Sequence, residues 1–153
     1  GKGIMYCYIG IAVGDIVAGV LAQVLRSRKM VMLIFLLLSA VSILIFLNAQ
    51  GLNAEKFIWL SLLLGFASGY WATFVTIASE QFGTNLRATV TTTVPNFVRG
   101  SVVAVTLSFQ FLKTEVGILQ SAMIVGFACV VISLIALNQL KETFHKDLDY
   151  IED

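Results

Sequence analysis

Five apolar stretches, each near 20 residues long, leave this chain very few ways to fold. They cover residues 4–25, 30–47, 57–79, 88–112 and 116–137. A bilayer's hydrocarbon core, about 30 Å thick, needs about 20 apolar helical residues to cross it. The polar connections between the stretches are too short to hold a soluble domain. One is Arg26-Ser27-Arg28-Lys29, and another is the turn-rich Asn48-Ala49-Gln50-Gly51-Leu52-Asn53. A third is Glu80 to Arg87, and the charged tail 141–153 follows the fifth stretch. The expected fold class is an all-α membrane protein with five transmembrane helices.

Composition agrees. Apolar residues make up 58% of the 153 residues and charged residues 12%. A soluble domain carries about 25% charged residues, and half that density does not cover a globule. Mean hydropathy is +0.91. Disorder, collagen, a coiled coil and a nucleic-acid-binding domain are excluded. The net charge of +1 offers no basic patch for nucleic acid. Cys7 and Cys129 are isolated thiols in apolar stretches, so neither a disulfide framework nor a metal cage is expected. The single His145 lies in the tail. Neither a metal nor another cofactor is expected, and the chain is not expected to be an enzyme. It begins almost at a hydrophobic run, as if cut from something longer.

Basic residues flanking the spans set orientation. Arg26, Arg28, Lys29, Arg87, Lys141 and Lys146 fall on one side, and Lys2, Lys56 and Lys113 on the other. The first side is expected to be cytoplasmic, with the C-terminus inside. The second and fifth spans are almost purely greasy, whereas the first, third and fourth carry polar groups. Polar groups at membrane depth turn toward protein or water. The first, third and fourth spans are therefore expected to line an interior, with the second and fifth outside them.

Two opposite charges lie near the expected midplane. Asp15 is ten residues before Leu25 and Arg99 eleven after Ala88, about 15 Å from the same side at 1.5 Å per residue. An ionised side chain there costs roughly 2.5–3.5 kcal/mol. Such charges mark a substrate or proton site, or form a static pair that clamps helices. Thr92, Asn96, Arg99, Val103, Thr106 and Gln110 recur at spacings of three and four, which places them on one helix face. This stripe borders water, or else forms a polar seam with another helix. Pro95 bends the helix below Arg99. Gly10-xxx-Gly14 and Gly65-xxx-Gly69 allow close helix approach and read as packing. Tyr70-Trp71 reads as packing or as a substrate-stacking pair.

Two segments resemble the major facilitator superfamily of secondary transporters. Gly19 to Lys29 falls in the register of that family's Gly-x-x-x-Asp-Arg/Lys-x-Gly-x-Arg/Lys-Arg/Lys loop. Gly19, Arg28 and Lys29 match, while Gln23, Val24 and Arg26 depart from it. Glu80 to Ala88 resembles the Glu-x-Phe-Pro-Thr-x-x-Arg-Gly/Ala signature of sugar-porter and metabolite–proton symporter members. Glu80, Phe82, Thr84, Arg87 and Ala88 match, with Gly83 in place of Pro. The resemblance implies that the five spans are the last five of twelve. It implies a secondary transporter of a small polar metabolite, such as an organic acid or sugar, working by alternating access. Protons are the implied coupling ion, and the plasma (inner) membrane the implied location. The N-terminal half of the same transporter and membrane lipid are the implied partners. Asp15, Arg99, Asn96, Thr92, Thr106 and Gln110 would line the pathway. Glu80, Arg87, Arg28 and Lys29 would hold a cytoplasmic gate. The alternative is a structural or accessory multi-span membrane subunit without transport activity of its own.

Overall fold

The computed structural model describes residues 1–49, 51–144 and 151. Gln50 of the expected turn, and His145 and Lys146 of the tail, lie outside them. Six helices follow in chain order: α1 Lys2–Leu25, α2 Arg28–Asn48, α3 Ala54–Ala67, α4 Trp71–Glu80, α5 Thr84–Val116 and α6 Ile118–Gln139. Four segments are long and apolar enough to cross a membrane: α1, α2, α3 with α4 taken together, and α6. The 33 residues of α5 are ample in length, but its polar residues keep it out of that set.

Local chemistry accounts for the helix boundaries. Arg26 takes a left-handed conformation, φ 50°, which ends α1. Ser27 then caps α2 by accepting from the Met30 N–H at 3.1 Å. Asn53 does the same for α3 through the Lys56 N–H at 3.0 Å. Gly117, at φ 85°, lets α5 turn directly into α6.

The third expected span, 57–79, is not continuous. It breaks at Ser68-Gly69-Tyr70 into α3 and α4. The next helix starts at Thr84 rather than at 88, so most of the expected loop from Glu80 to Arg87 is helical. Only Gln81 to Gly83 connects α4 with α5.

The closest packing joins α1 to α3. Gly10, Gly14, Ala18 and Ala22 are the buried residues of α1, four apart along one face. A side chain on Gly10 would run into the Leu62 carbonyl, and one on Gly65 into the Cys7 carbonyl. Backbones in direct contact gain dispersion energy where lipid leaves no hydrophobic drive between helices. Lower down, Ala18 and Ala22 meet Val31 and Phe35 of α2. The Phe35 ring lies 5.8 Å from Phe66 and 6.1 Å from Tyr70.

Helix α2 packs on α1, α3, α4 and α6, whereas α5 touches only its chain neighbours α4 and α6 among the described residues. No residue of α5 is buried. This differs from the expected sorting, in which the greasy second span was peripheral. An all-round apolar helix packs equally well on protein or lipid, so its composition does not fix its place. Among the described residues, the polar face of α5 finds no complementary surface on its sister helices.

Candidate functional site

Three connections meet at one end of the bundle: the α1–α2 turn, the α4–α5 turn and the segment after α6. Arg28, at the start of α2, forms an ion pair with the buried Glu80 at the end of α4. Lys29 donates through Nζ to the carbonyls of Asn138 and Leu140, both at 2.9 Å. Asn138 is in the last turn of α6 and Leu140 is its C-cap, so the cation sits at the negative end of the helix dipole. Arg87 donates to the Phe82 carbonyl at 3.3 Å. All four residues expected at a gate are thus at this end, although their bonds are not all to one another.

The centre of this cluster is Glu142, which sequence reasoning did not single out. Its carboxylate accepts from the Ser27 hydroxyl and from the N–H groups of Arg28 at 3.1 Å and Lys29 at 3.2 Å. It also accepts from its own neighbours, Thr143 at 3.0 Å and Phe144 at 3.1 Å. Burial pushes this carboxyl's pKa up. Its hydrogen bonds, from Ser27 first and then from the backbone of Phe144, Arg28 and Lys29, outweigh burial and hold it below the ordinary value. Gln81 donates to the Lys141 carbonyl at 2.9 Å, and the Arg28 guanidinium lies 6.0 Å from the Phe144 ring centre. The acid that follows α6 caps the start of α2, while the base at the start of α2 caps the end of α6. The only sequence signal for this was an acid just past a helix end beside a Ser-led helix start.

Asp15 and Arg99 have separate partners, and among the described residues they form no ion pair with each other. Asp15 accepts through Oδ1 from the backbone N–H of Ala72 at 3.1 Å. Ala72 lies in the first turn of α4, just after the break. Arg99 donates to Asn96 Oδ1 at 3.3 Å, and Asn96 donates to the Thr92 carbonyl at 3.1 Å. These three form a hydrogen-bonded string along α5. Thr106 and Gln110 continue the same exposed face. A shallow hollow of about 540 Å³ on that helix is lined by Thr92, Asn96, Phe97 and Gly100. Tyr70 and Trp71 instead line a mostly apolar cavity of about 330 Å³ with Met32, Leu36, Phe74 and Leu137. No group of His, Cys, Asp and Glu able to hold a metal ion occurs among the described residues.

Compared with known protein families, curated proteins and solved structures, the chain finds no match in any of the three.

Proposed function

We propose that this chain forms the last five spans of a major-facilitator-type secondary transporter for a small anionic metabolite. The observation that carries the reading is α5, a 33-residue helix with a polar stripe from Thr92 to Gln110 that only Val103 interrupts, no buried residue and a guanidinium midway along it. A guanidinium at membrane depth costs several kcal/mol unless protein or a water-filled cavity receives it. A substrate pathway between this face and an N-terminal half of the same transporter supplies both. Arg99 then binds a carboxylate or similar group, which the planar fork of a guanidinium matches in two hydrogen bonds. Asn96, Thr92, Thr106 and Gln110 hydrogen-bond the rest of the substrate.

The ion pair Arg28–Glu80, with Lys29 and Arg87, forms a gate at the end assigned to the cytoplasm. It opens and closes as the two halves rock about the midplane, driven by a proton gradient in the plasma membrane. The test is uptake by the full-length protein across a panel of small organic anions and neutral sugars, with and without an uncoupler. Anion accumulation that the uncoupler abolishes, and that Arg99→Ala abolishes at normal membrane abundance, is the expected result. Wild-type accumulation by Arg99→Ala removes α5 from the pathway. It leaves the polar stripe as a seam in an accessory membrane subunit.

A further inference from the structure

We infer that Asp15 is a positioning residue: from α1 its carboxylate caps the half-helix α4 and fixes how α4 continues α3 through the membrane. Its effect on uptake rests on the transporter reading above, but the capping itself does not.

A helix that begins at membrane depth leaves its first N–H groups without intrahelical partners. No water stands ready there to satisfy them, and each such group left bare in hydrocarbon is costly. Helix α4 has this problem in full. Tyr70 occupies its N-cap position and offers no side-chain hydrogen bond. The first bond back to the cap is Phe74 N–H to the Tyr70 carbonyl at 2.9 Å, which leaves Trp71, Ala72 and Thr73 before it. Asp15 Oδ1 takes the Ala72 N–H at 3.1 Å. The residue is 57 positions away in sequence and on another helix, so the cap is supplied in trans.

Glycines bring it within reach. A Cβ on Gly69, in the break, would lie 2.6 Å from the Gly14 Cα and 2.6 Å from the Ile11 carbonyl. With the two backbones in contact, the short side chain following Gly14 reaches the first turn of α4. The charge also has its complement there, because a helix N-terminus carries partial positive charge. Among the described residues of the elements packed on α1, no charged side chain competes at this depth. Of the elements packed on α1, residues 30–54 and 57–79 contain no Asp, Glu, Lys, Arg or His. Tyr70, in the break, is their titratable side chain nearest to Ala72 in sequence. Glu80 is eight residues on from Ala72, about 12 Å along the axis. Arg28 and Lys29 lie at the end where Glu80 is paired, and Glu55 and Lys56 lie at the far start of α3. Arg99 is on α5, which makes no contact with α1 among the described residues.

An acceptor role and a charge role separate at one substitution. Asn caps helices about as well as Asp, whereas Ala and Leu do not. The full-length protein in lipid nanodiscs is followed by hydrogen exchange over residues 70–76, and in parallel by uptake. Asp15→Ala should exchange roughly tenfold faster there and lose most uptake. Asp15→Asn should stay within about twofold of the parent in both. If Asp15→Ala fails to insert, Asp15→Thr keeps a weaker acceptor and should give an intermediate exchange rate. Unchanged exchange in Asp15→Ala, or equal loss of protection in Asp15→Asn, overturns the capping. Asp15→Asn with α4 protected but uptake abolished overturns the positioning role in favour of a proton carried by the carboxylate. If the parent transports nothing on the panel, the exchange data still decide the cap.

Discussion

Gly65 and Gly126 are the same residue with opposite prospects. A methyl group on Gly65 of α3 would enter the Cys7 backbone, while one on Gly126 of α6 meets nothing within 4 Å. Gly65→Ala should therefore destabilise the bundle by about 1–3 kcal/mol, the usual range for overpacking. Gly126→Ala should be neutral or stabilise by up to about 1 kcal/mol through helix propensity. Melting temperatures of the purified protein in one detergent check both. Charge at the bundle's end follows a similar contrast. Glu80→Ala leaves the partly buried Arg28 with only the Coulombic attraction of Glu142, a loss of about 1–3 kcal/mol. The double variant Arg28→Met/Glu80→Leu should recover most of that melting temperature. A double variant no better than Glu80→Ala would show that the pair is not what the site depends on. These residues were legible: the small-residue spacing marked close packing, and Arg28 and Glu80 stood out in the polar turns. The partner of Asp15 was not. Sequence reasoning pairs side chain with side chain, and the group that meets Asp15 is a backbone N–H exposed by a break that hydropathy does not reveal.

At the level of elements, hydropathy located the helices well and their interruptions poorly. Residues 57–79 read as one apolar run because Ser68, Gly69 and Tyr70 are mild enough not to interrupt it. Backbone geometry interrupts it instead, where Gly14 of α1 meets Gly69 in the break. The tail after α6 reads in sequence as a charged cytoplasmic tail, yet its residues 141–144 are bonded to α2 and to the α4–α5 turn. That latch depends on one ionised acid. Because Glu142 is held below its ordinary pKa of 4.5, its contribution is fully present above that value. It is lost as pH falls through the lower, folded value. Spin labels on the exposed positions Arg26 and Lys141 should give one narrow distance distribution at neutral pH, broadening reversibly only below about 4.5. With Glu142→Ala the distribution should be broad at neutral pH as well. A narrow distribution in that variant would mean that Lys29 and Gln81 hold the segment unaided.

For the whole molecule, everything turns on whether α5 crosses the membrane. Four segments qualify as spans on length and apolarity, and α5 does not. Yet its neighbours constrain it. The start of α5 follows α4 at the end where Glu80 pairs with Arg28, and α6 returns to that same end, where Lys29 meets the carbonyls of Asn138 and Leu140. Helix α6 is itself apolar and 22 residues long, so an α6 that spans the membrane starts at the opposite face, with only Gly117 between it and the end of α5. Only a crossing α5 joins these two points, and at about 50 Å it is long enough. Its polar face then has to be covered by protein or water, which four apolar helices and a lipid surround do not offer. Single cysteines at Asn85, Lys141, Glu55 and Thr114, in a full-length protein with Cys7 and Cys129 replaced, read this out with an impermeant thiol reagent. Asn85 and Lys141 should label from one side, and Glu55 and Thr114 from the other. Labelling of Asn85 and Thr114 from the same side would place α5 on the membrane surface and remove the basis for a pathway along it. The expected pattern has a second consequence. In detergent without lipid, a probe on α5 at Val103, within the polar stripe, should report water, because that face is open among the described residues. On the transporter reading proposed above, the same probe in the full-length protein should be shielded, and substrate should change its signal.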